Sequence, residues 1–118
     1  MARRSLSEQT FLILTALAAE PLHGYGIVQA ASRLSDGAVT LRVGTLYGAL
    51  DRLCTDGLVV PDREEIHQGR VRRYYRITDS GMAELIGDAG RRARMAQIAL
   101  DRSRAGAPAD GLGGEVTA

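Results

Sequence analysis

Between Leu58 and Ile77 the apolar residues of this 118-residue chain leave helical spacing and take up the alternation of a strand. Leu58-Val59-Val60 is a short β-prone run. A second run, Val71-Arg72-Arg73-Tyr74-Tyr75-Arg76-Ile77, puts Val71, Tyr75 and Ile77 on one face, with Arg70, Arg72, Tyr74 and Arg76 on the other. With His67-Gln68-Gly69 between them the two runs read as a hairpin. The fold must therefore place one hairpin among helical segments.

Three helices are expected before the hairpin. The first covers Ser7–Ala19, with Phe11, Leu14, Leu17 and Ala18 at helical spacing, Ser7 or Ser5 as cap, and Pro21 as its stop. The second opens at His23-Gly24-Tyr25-Gly26, repeats through Tyr25, Val28 and Leu34, and ends at the turn Ser35-Asp36-Gly37. The third carries Leu46, Leu50 and Leu53 at i, i+4 and i+7 as one apolar stripe, and Gly57 stands just past its end. After the hairpin, Thr78 caps a long helix with a stripe of Met82, Leu85, Ile86, Ala89, Ala93, Ala96 and Leu100. This order makes the fold mainly α with a β-hairpin wing: a winged helix-turn-helix followed by one C-terminal helix. The expected divisions are residues 5–78 for the winged helix-turn-helix and 79–102 for a dimerisation helix. Residues 103–118, rich in Gly, Ala, Pro and Asp, are expected as a disordered tail.

Four stretches carry a family resemblance: Pro21-Leu22-His23-Gly24-Tyr25; Gly44-Thr45-Leu46-Tyr47-Gly48-Ala49-Leu50-Asp51-Arg52-Leu53; Asp56-Gly57-Leu58-Val59; and Gly69-Arg70-Val71-Arg72-Arg73-Tyr74-Tyr75-Arg76-Ile77-Thr78-Asp79-Ser80-Gly81. In order and spacing they resemble the PadR family of bacterial transcriptional regulators, over roughly Leu6 to Leu100. One helix after the wing resembles its small subfamily. The resemblance implies a homodimer, operator binding, usually repression, and often release by a small aromatic or drug-like effector. One position departs: the family usually has proline where this chain has Gly48. Glycine inside a helix costs about 1 kcal/mol relative to alanine, so the third helix is expected to be looser here.

A DNA-binding helix needs side chains at base edges and donors for phosphates. With Leu46, Leu50 and Leu53 facing inward, Arg42, Gly44, Thr45, Tyr47, Gly48 and Arg52 fall outward or at the N-terminal end, where free N–H groups favour an anion. Arg42 and Thr45 are the candidates for base edges. Tyr47 is assigned to a phosphate oxygen, with packing under the wing as its alternative. In the wing, Arg70 and Arg72 lie on the solvent face and Arg73 on the core-side face near the tip. The stretch Gly69 to Ile77 holds four arginines and no acid, a local +4. Alone such a run would be a solvated face; beside a helix-turn-helix it reads as phosphate contact or minor-groove insertion. Tyr75 is expected to anchor the wing and Tyr74 to cover the strand, rather than to stack on single-stranded nucleic acid.

The winged helix closes its own core, which leaves the last stripe uncovered within the chain. An isolated helix of this length is marginal in water and is usually stabilised by packing its apolar face. Met82, Leu85, Ile86, Ala89, Ala93 and Leu100 are therefore expected to meet Phe11 and Leu14 of a second copy. Phe11, Met82 and Met95 could line an effector cavity there, although core packing explains each of them too.

The net charge of +1 argues at first against nucleic acid, but it averages the +4 stretch with a segment, Asp79 to Ala118, at −1. All fifteen basic residues are arginine, which reads mostly as genomic bias. The single cysteine, Cys54, fits a reducing compartment. Arg3-Arg4 before the apolar run Phe11–Ala19 resembles a secretory leader, yet five polar residues intervene and the run is far short of the ~20 residues of a membrane span. A cytoplasmic protein is expected. His23, His67 and Cys54 have no metal-site spacing, and His23 is expected to make a turn hydrogen bond. No catalytic constellation or cofactor loop is present in the sequence, so neither enzyme nor cofactor is expected. The leading expectation is a sequence-specific, homodimeric repressor on a pseudo-palindromic double-stranded operator. The alternatives are a winged helix that binds protein without reading DNA, and a protein that is chiefly a small-molecule sensor.

Overall fold

The computed structural model describes residues 5–106. Helix α1 spans Glu8–Ala19, strand β1 Leu22–His23, α2 Gly24–Leu34, α3 Val43–Thr55, β2 Val59–His67, β3 Arg70–Ile77 and α4 Asp79–Ala105. Two compact units divide the chain. The first ends at Asp88 and contains the winged helix with the start of α4; the second begins at Ala89. The winged unit therefore reaches ten residues past the expected boundary at 78. Helix α4 itself runs three residues past 102, into the stretch expected as tail, and residues 107–118 of that tail lie outside the described residues.

Local chemistry sets the element ends. The Ser7 hydroxyl accepts the Thr10 N–H at 3.1 Å and caps α1. Helix α3 ends in a Schellman motif: Gly57, at φ +77°, donates to the Cys54 carbonyl at 3.1 Å, and Leu58 donates to that of Leu53 at 2.9 Å. Thr78 ties α4 to this corner, because its hydroxyl donates to the Gly57 carbonyl at 2.7 Å and accepts the Gly81 N–H at 3.0 Å. A Cβ at Gly81 would collide with the Leu58 carbonyl, so only glycine lets α4 start this close to β2.

The core gathers Leu12, Ile13, Leu14 and Leu17 of α1, Ile27 and Ala31 of α2, Leu46, Leu50 and Leu53 of α3, and Val59, Tyr75 and Leu85. Two expectations are corrected here. Leu14 is fully buried in this core and Leu85 is 8% exposed within it, so neither is available to a second copy. In α2 the inward face is Ile27, Ala30 and Ala31, whereas Tyr25 and Leu34 point to solvent.

The sheet has three antiparallel strands in the order β1-β3-β2, one more than the hairpin alone. Leu22 and His23 pair with Tyr75 and Tyr74. The hairpin turns at Gln68 (φ +53°) and Gly69 (φ +78°), a two-residue left-handed turn that fixes His67 opposite Arg70. One extra residue in β2 between Pro61 and Glu64 makes a bulge.

Candidate nucleic-acid interface

The third helix presents its N-terminal end to solvent. Arg42 is its N-cap residue and makes no side-chain cap, so the first-turn N–H groups stay open to an incoming acceptor. Arg42, Gly44, Thr45, Tyr47 and Arg52 are exposed, while Leu46, Ala49, Leu50 and Leu53 face the core. Tyr47 rests its hydroxyl against Gly24, at the start of α2, and a Cβ at Gly24 would strike that oxygen. Gly48 is half-buried, and a Cβ there would meet only the Arg52 guanidinium at 3.8 Å. Packing within the chain does not require glycine at that position.

Between α3 and the wing lies a groove of about 480 Å³. Gly24 and Tyr25 form one wall, Tyr47 another, and Arg70, Arg72 and Arg73 the third. The groove thus brings Tyr47 together with the wing arginines, and His23, Tyr25, His67, Gln68 and Val71 line it too. Arg42, Gly44, Thr45, Gly48 and Arg52 do not line this groove. The α2 repeat runs through Tyr25, yet Tyr25 is 64% exposed and faces the groove.

The +4 stretch does not stand alone. Strand β2 lays carboxylates beside β3: Glu64 on Arg73 at 3.2 Å and Asp62 on Arg76 at 3.4 Å. Arg63 bridges Asp62 at 3.1 Å and Glu65 at 2.7 Å, and its guanidinium lies 4.0 Å over the Tyr74 ring. Over Val59–Ile77 five arginines face three carboxylates, a net +2. The hydrogen bond from Arg63 holds the Glu65 carboxyl below its usual range, and Glu64 pushes the Arg73 guanidinium up. Arg70 and Arg72 have no carboxylate within 4.0 Å among the described residues. Arg72 is half-buried rather than on an open face, and Val71 is exposed rather than inward, because the hairpin outruns the core.

His23 departs from its expected turn hydrogen bond. Both ring nitrogens are buried without a partner in the structure, and the ring packs on Tyr74 at 5.2 Å. Burial, then the neighbouring Arg72 and His67, pushes its pKa below the ordinary 6.5. Burial raises the Cys54 thiol and the Tyr75 phenol, which keeps both neutral near pH 7. Tyr75 anchors the wing as expected.

An exposed helix N-terminus set across a groove from a β-hairpin, with a bundled core behind it, defines a winged helix-turn-helix regulator. The family model for "Transcriptional regulator PadR-like family" matches residues 13–86. The chain is 41% identical over 76 residues to transcriptional regulator Rv3488 of Mycobacterium tuberculosis, covering 64% of this chain and 67% of that one. Among solved structures it is similar to a PadR family transcriptional regulator from Eggerthella lenta, at TM-score 0.61 and 25% identity over 80% of this chain and 82% of that one. It is also similar to Bacillus subtilis PadR in complex with operator DNA, at TM-score 0.59 and 25% identity, over 66% of this chain and 45% of that longer one. The chain belongs to the PadR-like family of transcriptional regulators.

Proposed function

We propose that the protein is a cytoplasmic, homodimeric repressor that binds a pseudo-palindromic double-stranded operator. The observation that carries this is the exposed N-terminal end of α3, with Arg42, Gly44 and Thr45, beside a groove closed by Arg70 and Arg72. In this reading Arg42 and Thr45 address base edges. Tyr47, Gly48, Arg52 and the first-turn N–H groups hold phosphates, and Arg70 and Arg72 grip the backbone beside them. Arg73 contributes less, since Glu64 already neutralises it. The operator complex of the Bacillus subtilis relative supports double-stranded DNA as the ligand class. No helix among the described residues is long and apolar enough to cross a membrane.

The second copy is assigned to α4, where Ile86, Ala93 and Leu100 are exposed and Met82 and Ala89 half-buried, and to half-buried Phe11 of α1. Phe11, Met82 and Met95 remain the candidate lining for a small aromatic or drug-like effector. Two recognition helices related by a two-fold axis read half-sites about one helical turn, or a multiple of it, apart.

Selection of bound duplexes from random DNA tests the proposal. Enrichment of an inverted repeat is the expected result, and failure to retain any duplex above background overturns it. Such a failure would favour the protein-binding winged helix, for which the carboxylates of β2 are the supporting feature. Sedimentation at micromolar concentration should give the mass of two chains; the mass of one overturns the dimer.

A further inference from the structure

Ile66 and Val71 sit opposite one another across the hairpin, 79% and 64% exposed. Two β-branched side chains side by side in water at the end of a strand pair are an apolar island. On the same face, one pair inward, the Glu64–Arg73 ion pair separates them from Tyr75 and the core. The turn at Gln68 and Gly69 fixes the register, so a slip cannot bury them. On the reverse face stand Arg70 and Arg72. Glu65, opposite Arg72, is engaged by Arg63 at 2.7 Å. The tip therefore offers a small apolar surface backed by Arg70 and Arg72, neither of which makes an ion pair within 4.0 Å among the described residues.

We infer that Ile66 and Val71 form an apolar wedge that enters the minor groove of DNA and senses whether an amino group stands on its floor. The inference rests on the DNA-binding reading above. The minor groove has the complementary make-up: phosphates along its rims, C–H groups of the sugars on its walls, and an exocyclic amine on the floor only at G·C pairs. Apolar side chains serve as wedges there in other architectures, flanked by arginine. A second copy of this chain fits the island poorly, since a stable interface takes about 800 Å² per partner and two side chains supply a small part of that. The cations around it would also repel their own kind.

The test uses the full chain and a duplex recovered by selection, with the base pairs under the wing located by hydroxyl-radical footprinting. Those pairs are made A·T, G·C or inosine·C in turn; inosine·C keeps the major-groove face of G·C but the minor-groove face of A·T. Binding is followed by fluorescence anisotropy over a range of salt. The wild type should bind A·T and inosine·C alike and G·C about tenfold more weakly, the scale of a single unfavourable base pair. The double variant Ile66→Thr/Val71→Thr keeps β-branched side chains and a stable cross-strand pair. It should bind all three duplexes alike at an unchanged salt slope, since no charge has moved. Val71→Ile should retain the G·C penalty. A double variant that keeps the penalty, or a wild type that treats inosine·C like G·C, overturns the wedge. Loss of dimer mass in the double variant would place the tip between copies and overturn it equally. Failure of the wild type to retain any duplex overturns the DNA-binding reading itself, an outcome separate from these.

Discussion

The base and the tip of the wing are built from the same two strands and the same residue types, yet they are bound into the molecule in opposite ways. At the base Tyr75 is buried, β1 adds a third strand, and the β2 bulge sets Asp62 and Glu64 against Arg76 and Arg73. At the tip the strands run on past the core, and Ile66, Arg70 and Val71 are exposed. Pairing converts the arginines of the base into parts of a surface lattice worth little to stability and little to a polyanion. Those of the tip keep their field. Where an arginine lies along the hairpin therefore matters more than how many there are.

The difference can be broken first by stability. Tyr75→Ala removes the aromatic anchor that joins the wing to α1 and α3, and should cost about 3–5 kcal/mol, the range for large aromatic truncations in a core. Val71→Ala, four residues away, should stay within about 0.5 kcal/mol, as expected of an exposed site. Chemical denaturation of the two variants gives both numbers. Equal losses would show that the tip is as integral to the fold as the base.

Gly81→Ala is the next in size. The added methyl would press on the Leu58 carbonyl and the Ile77 side chain, where the wing meets α4. Overpacking against backbone costs about 1–3 kcal/mol, only partly offset by alanine's better helix propensity. A melting temperature at or above the wild type would mean that this corner is slack.

Salt dependence sharpens the same contrast within β3. Each phosphate neutralised contributes about −0.9 to the slope of log K against log salt. Arg72→Ala should weaken selected and random DNA alike and flatten that slope by about this amount. Arg73→Ala should flatten it less, and Glu64→Gln, which frees Arg73, should steepen it. An unchanged slope in Arg72→Ala would remove Arg72 from the contact set; equal changes at Arg72 and Arg73 would make the Glu64 pairing irrelevant.

Sequence made these elements legible to unequal degrees. The inward face of α3 was readable because Leu46, Leu50 and Leu53 are large and spaced by turns, and the Gly57 stop and Thr78 cap follow from side-chain chemistry alone. The face of α2 was not. Its buried positions include Ala30 and Ala31, whose small side chains give little hydrophobic signal, while Tyr25 and Leu34 give a strong one and lie outside. Strand β1 has two residues, too few to show a period, and exists because β3 offers Tyr74 and Tyr75 as partners. The outward face of α3 was legible, because one helix determines what faces out. The wing was misjudged, because charge there depends on the strand opposite. Setting Gln68-Gly69 as a two-residue turn places Glu65 against Arg72 and Glu64 against Arg73, so the carboxylates of β2 could have been counted from that register alone.

The smallest effect concerns His23, which links β1 to the wing base through Tyr74. Its folded pKa lies below the 6.5 of the free side chain, mainly through burial and then through Arg72 and His67, with Glu65 opposing. The unfolded chain therefore takes up the proton first. Its contribution to stability is complete above pH 6.5, declines as pH falls through the folded pKa, and is level below that. Protonation would place a positive charge near Arg72 and against the Tyr74 ring, with no acceptor on either ring nitrogen. The loss should thus appear at the base of the wing and not at its tip. The comparison is between the wild type and His23→Gln, in which every other titratable group is retained. Thermal unfolding from pH 8 to pH 5 should fall more steeply in the wild type than in the variant. Equal slopes would show that the imidazole finds a partner on protonation, and would sever His23 from the stability of the wing base.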